Sequence, residues 1–257
     1  MPNLDSTRLP RSNARFYAYG MDSVSASARI RIALAGCVAL LAATAVLAGT
    51  VVSAWAYPLI NTAVAATLIV IAVKAGVTRE AIGLIVGRRT ILAALIGLGC
   101  VAAVLTVGWV LPPIREVFTA SPAASISSGG LLWAVLIRVP FGTVLLEEVA
   151  FRGVLPALLG FNGKQWRWGP MLGASALFGL FHIFPALQQG KCDDLAVHSL
   201  FCGAGPVFAP IAVMTVAMGL GLLLCLVRHI GGGLLAPFAV HTAANSAGYI
   251  LAWASPV

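Results

Sequence analysis

Seven long apolar runs set the rhythm of the chain, at residues 32–56, 58–73, 91–112, 131–159, 169–187, 206–227 and 232–252. Crossing about 30 Å of hydrocarbon takes about 20 helical residues at 1.5 Å per residue, and most of the runs meet that length. The run 58–73 is short, and 131–159 is long, with Pro140 placed to kink or tilt it. Continuous runs, without short segments of alternating polarity, point to helices instead of a membrane barrel. The pattern therefore predicts an all-α polytopic membrane protein with about seven transmembrane helices. Residues 1–28 read as a mobile basic tail, 29–130 as amino-terminal membrane helices, and 131–252 as a core formed by the last four helices. Between the second and third runs, residues 77–90 (VTREAIGLIVGRRT) predict a short amphipathic helix lying in the interface.

The basic residues test the span count independently, because cytoplasmic loops retain Lys and Arg. With the amino terminus inside and seven spans, Arg8, Arg11, Arg15, Arg29 and Arg31 fall on the inner side. So do Lys74, Arg79, Arg88, Arg89, Lys164, Arg167 and Arg228, leaving only Arg115 and Lys191 outside. Dropping the short second run would send the Arg79–Arg89 group outside, so the charges favour keeping it. Trp166 and Trp168 flank an inner helix end; Trp55, Tyr57, Tyr249 and Trp253 sit near outer ends, as an aromatic belt requires. The first run is too long for the apolar stretch of a signal peptide and suits an uncleaved signal anchor.

Composition narrows the class further. The chain is 60% hydrophobic and 9% charged, against about 25% charge in a soluble domain. Soluble globular, disordered and fibrous classes are excluded. The formal net charge of +8 reports orientation in a lipid bilayer and calls for no nucleic acid partner. The richness in Ala, Gly, Leu and Val suggests a bacterial plasma membrane. Cys37, Cys100 and Cys225 lie in spans as small packing residues. Cys192 and Cys202 share a predicted outer loop, where the oxidising compartment makes a disulfide between them plausible.

With so few charges, those inside apolar runs stand out. The run LLWAVLIRVPFGTVLLEEVAFRGVLPALLG holds Glu147, Glu148 and Arg152. A charge at the membrane centre costs at least about 2.5–3.5 kcal/mol. Glu148 and Arg152 are four apart and share a helix face, so an ion pair offsets part of that cost. Glu147 points about 100° away and must face another helix or an aqueous cavity. Two later runs offer partners: His182, one turn after Phe178, and His241 with Asn245, four apart on one face. A carboxylate, two imidazoles and a carboxamide converging in one polar chamber suit water activation, with Glu147 as base, His182 positioning the water, and His241 and Asn245 stabilising an oxyanion. Glu147, His182 and His241 are equally a zinc ligand set with an open position for water. HExxH is absent, so such a metal site would be assembled from separate helices.

Glu147-Glu148-Val149-Ala150-Phe151-Arg152 reads EExxxR, Phe178 to His182 reads FxxxH, and His241 to Asn245 reads HxxxN. In this order, on separate apolar helices, they resemble the CAAX-protease and bacteriocin-processing (CPBP) intramembrane endopeptidases, which include the type II CAAX prenyl endopeptidases or Abi proteins. The resemblance covers roughly residues 131–252. It implies a cavity enclosed by transmembrane helices and peptide-bond hydrolysis, with Glu147 as catalytic glutamate, His182 as its partner on the water, and His241 and Asn245 holding the oxyanion. Glu148 and Arg152 would support the site. The family carries a metalloprotease label, while its eukaryote-type branch points to a metal-independent glutamate mechanism, so zinc stays open. The implied partner is a membrane-embedded or membrane-associated peptide or protein substrate. Two other classes use the same residues: a proton-coupled transporter relaying through Glu147, His182 and His241, and an inactive immunity or scaffold protein of the same fold. Transporters usually carry paired repeats or matched broken helices, and the sequence has no such pairing.

Overall fold

The computed structural model describes residues 11–48, 53–112, 115, 122–188 and 205–254, and all regular structure among them is helical. In chain order the helices are α1 (Arg11–Ala48), α2 (Tyr57–Lys74), α3 (Arg79–Ile82) and α4 (Arg88–Val110). They are followed by α5 (Ser128–Leu158), α6 (Trp168–Gln188), α7 (Gly205–Gly231) and α8 (Leu235–Ala254). Apart from the one-turn α3, these rods match the seven apolar runs, and the protein is a multi-pass membrane protein. Five have the length and apolarity to cross a bilayer: residues Ala26–Leu47 of α1, all of α2, α4 and α5, and Phe208–Gly231 of α7. The apolar part of α6 is shorter, Trp168–Ile183. On α8, His241, Thr242, Asn245 and Ser246 dilute the apolar character.

Polarity is distributed inside out. On α4 only 11% of the most apolar stretch is buried, and Leu92, Leu95, Ile96 and Val104 face outward. Glu147, Glu148, Arg152, Arg228, Asn61 and Ser175 are buried instead. Lipid solvates the aliphatic surface at no cost, whereas polar groups must find partners inside the bundle.

Two local expectations change. Helix α1 begins at Arg11, so residues 11–28 of the expected tail are helical and run straight into the first span. No proline occurs between Pro10 and Pro58, and Ala and Arg are good helix formers. The expected interfacial helix over 77–90 is reduced to the single turn of α3. Thr78 caps its start by accepting from the Ala81 N–H, and Gly83 ends it in the left-handed region at φ +94. A Cβ at Gly83 would clash with the Arg228 guanidinium. Ile82 is fully buried, so α3 is a plug in the protein and not a float on the interface. Cys192 and Cys202 lie outside the described residues.

That plug locks the corner from which α8 departs. The Leu234 N–H donates to the Gly83 carbonyl at 2.9 Å, Thr90 Oγ1 to the Gly231 carbonyl at 2.8 Å, and Arg89 to the Ile230 carbonyl at 2.9 Å. Helix α6 packs along α7, while α8 lies against α4 and the Ala134–Val144 part of α5, which α2 also covers. The main apolar core, with Leu68, Ile82, Leu146, Phe151, Val154 and Leu155, draws on helices from both halves of the chain.

Candidate active site

Helix α5 is unusual where it matters. Ala134–Val144 and Val149–Val154 wind in wide π-type turns, leaving only Leu145–Glu148 as regular α-helix between them. Pro140 has no N–H to give to the α-helical ladder, and past it the Leu145 N–H reaches five residues back to the Pro140 carbonyl. The bend expected at Pro140 is thus a widening of the helix. Wide turns are often found where side chains are re-aimed for function. Here they bracket Glu147 and Glu148.

Both carboxylates turn to α8. His241 Nδ1–H donates to Glu148 Oε1 at 2.7 Å, and His241 Nε2 faces Glu147 Oε2 at 3.6 Å. Arg152 approaches the same Glu148 Oε1 at 3.1 Å, as an ion pair and not an aligned hydrogen bond. Glu148 and Arg152 are each 1% exposed and Glu147 5%. Two carboxylates and one guanidinium leave one negative charge over. Glu147 Oε2 and Glu148 Oε2 have no hydrogen-bond partner, so acceptor capacity remains inside the site.

Phe178 on α6 divides this cluster from His182. Arg152 Cζ sits 4.0 Å over its ring centroid, and the ring meets His182 edge-on at 4.4 Å and His241 at 6.3 Å. His182 Nδ1–H donates to the Phe178 carbonyl at 2.9 Å, which leaves Nε2 as the nitrogen with the free lone pair. No ion pair or hydrogen bond joins His182 to Glu147 among the described residues. Asn245 is partly exposed, one turn beyond His241. Arg138, in the first half of α5, donates to the Tyr249 hydroxyl at 2.8 Å.

Residues 129–247 match the family model described as Type II CAAX prenyl endopeptidase Rce1-like. The chain carries an Rce1-like domain. The match agrees with the family resemblance of the three motifs. No curated protein and no solved structure matches the chain.

Within the Rce1-like domain the geometry brings Glu147, Glu148, Arg152 and His241 into one contact network and leaves His182 one aromatic ring away. Among the described residues no three His, Cys, Asp or Glu side chains gather at metal-ligand spacing. Glu147 and His241 stand together, while His182 lies across the Phe178 ring from them. Two features escape the sequence reading. The Glu148–His241 bond depends on which helix packs across the cluster, which spacing along α5 does not encode. Phe178 is named by its motif, yet its place under Arg152 appears only in three dimensions.

Proposed function

We propose that the protein is an intramembrane endopeptidase that hydrolyses a peptide bond in a membrane-associated peptide or protein by glutamate-activated water. The observation that carries this reading is the sharing of His241 between Glu147 and Glu148 in a buried, ion-paired cluster within the Rce1-like domain. Glu148, backed by Arg152, orients the imidazole, as a carboxylate orients the histidine of a catalytic triad. Glu147 takes a proton from water, and the resulting hydroxide adds to the scissile carbonyl carbon. Asn245 and the His241 ring stabilise the oxyanion that forms. His182 accepts a hydrogen bond from the water through Nε2, the nitrogen that its bond to Phe178 leaves free. As the tetrahedral intermediate collapses, the C–N bond breaks and the leaving amine receives the proton from Glu147. The basic residues on the expected inner side support an amino terminus facing the cytoplasm, in a bacterial plasma membrane.

The test is cleavage of a library of transmembrane and membrane-anchored peptides in proteoliposomes by wild-type protein and Glu147→Gln. The wild type is expected to cleave and the variant to be inactive while remaining folded. Full cleavage by the variant overturns the assignment. Proton flux without cleavage would favour a relay instead.

A further inference from the structure

The helix bearing the glutamates is held from outside the Rce1-like domain. Asn61 is 3% exposed in the 18-residue apolar helix α2, and its Nδ2 donates to the Gly142 carbonyl of α5. The neighbouring Thr62 Oγ1 reaches the Phe141 carbonyl at 3.4 Å. One turn earlier, the Tyr57 ring lies so close that a Cβ at Gly142 would stand 2.9 Å from it. The Tyr57 hydroxyl faces the Asn61 and Thr143 side chains and lies within electrostatic reach of Glu147.

The place of these contacts has a physical reason. Where π-type turns give way to α-helix, the N–H ladder changes from reaching five residues back to four, and one carbonyl is passed over. Helix α5 makes that change at Leu145, and the carbonyls of Phe141 and Gly142 lie one turn before it. A carbonyl without a ladder partner inside a membrane protein needs a side-chain donor. Asn61 supplies it. Glu147 is five residues after Gly142, so the anchored carbonyl sits directly behind the turn that aims the carboxylate.

We propose that Asn61, assisted by the Tyr57 hydroxyl, is a positioning residue for the glutamate pair. By holding the Gly142 carbonyl it fixes where the wide turns end, and with that the angle at which Glu147 and Glu148 meet His241. Interhelical amides in membrane proteins often do no more than hold helices together, so the test separates aim from adhesion. It rests on the endopeptidase reading for one arm only.

The full-length protein is prepared in lipid nanodiscs with isotope-labelled histidine, as wild type, Asn61→Leu, Asn61→Gln and Tyr57→Phe. The His241 ring resonances, assigned with a His241→Gln control, report the Nδ1–H bond to Glu148 without any substrate. Asn61→Leu is expected to shift them and Asn61→Gln, which retains the donor, to restore them. In the second arm, on a peptide that the wild type cleaves, Asn61→Leu is expected to lower kcat by about 10–100-fold with KM within about twofold. Tyr57→Phe keeps the ring against Gly142 and is expected to lower kcat by about 3–10-fold. Wild-type His241 resonances in folded Asn61→Leu overturn the proposal. So does a loss of activity that merely follows the loss of folded protein. If Asn61→Leu does not fold, wild-type resonances and kcat in Tyr57→Phe overturn it. If the wild type cleaves nothing, the endopeptidase reading fails and the resonance arm still decides the positioning role.

Discussion

Replacing Arg152 by Met removes a fully buried cation while nearly conserving its length. Glu148 then keeps only His241 as a partner. At 3.1 Å and an effective dielectric of about 20, the lost attraction is about 5 kcal/mol. The stacked cation over Phe178 adds up to about 2 kcal/mol when desolvated. Against this, Arg152 Nε and Nη2 have no hydrogen-bond partner, so removing them relieves a desolvation cost. Breaking one side of a buried pair costs about 3–5 kcal/mol in other proteins, and the relief argues for the lower end, about 3 kcal/mol. At about 2–4 °C per kcal/mol for a chain of this size, Arg152→Met should lower the Tm by about 6–12 °C in tryptophan-fluorescence melts of detergent-solubilised protein. The double variant Arg152→Met with Glu148→Gln removes both charges and keeps an amide oxygen for His241 Nδ1–H, so it should recover at least half of the loss. If Arg152→Met costs less than about 1 kcal/mol, or if the two single losses add in the double variant, the charges are not coupled as the geometry requires.

Phe178→Leu fills much of the same volume but removes the face under Arg152 and the edge contacts to both histidines. A stability loss of about 1–3 kcal/mol is expected, with a larger fall in kcat than rise in KM, read by thermal melts and steady-state cleavage. Gly83→Ala meets both a positive φ and the Arg228 guanidinium; a loss of about 2 kcal/mol or more and a lower monodisperse yield on size exclusion are expected. Cleavage should survive treatment with a zinc chelator, and loss of activity that added zinc restores would refute the metal-free reading.

The parts legible in the sequence are those governed by spacing along one element. The Glu148–Arg152 pair follows from a separation of four and is found. The apolar runs became helices because a hydrocarbon-long stretch has no other way to satisfy its backbone. What spacing missed depends on partners far along the chain. Glu147 looked partnerless on its own helix, and its imidazole comes from α8, 94 positions later. Residues 77–90 looked amphipathic, but Gly83 has no Cβ to exclude the Arg228 guanidinium, so the helix stops and the segment docks inward. Asn61 drew no notice, although an amide in an apolar run was the available signal: a buried amide needs a partner, and the partner is a backbone carbonyl 81 positions along the chain.

These contacts bear on where the working unit ends. The family match starts at residue 129, yet the helix it opens with is sealed on one side by α2. Leu146, beside the glutamates, is 2% exposed and belongs to the same core as Ala65 and Leu68 of α2 and Ile82 of α3. The corner that launches α8 towards the glutamates is pinned by backbone and side-chain bonds to Gly83, Arg89 and Thr90. Motif residues therefore come from the matched segment, while their angles are set in part by residues 57–90. In water, apolar collapse would help fix such angles, but lipid makes little distinction between an apolar side chain facing a helix and one facing an acyl chain. Orientation inside a bilayer falls to close packing at small residues and to hydrogen bonds with nowhere else to go. Gly142 under Tyr57, the Asn61 amide on its carbonyl and the Thr90 hydroxyl on Gly231 are contacts of that kind, and all three tie the glutamates or His241 to the amino-terminal helices.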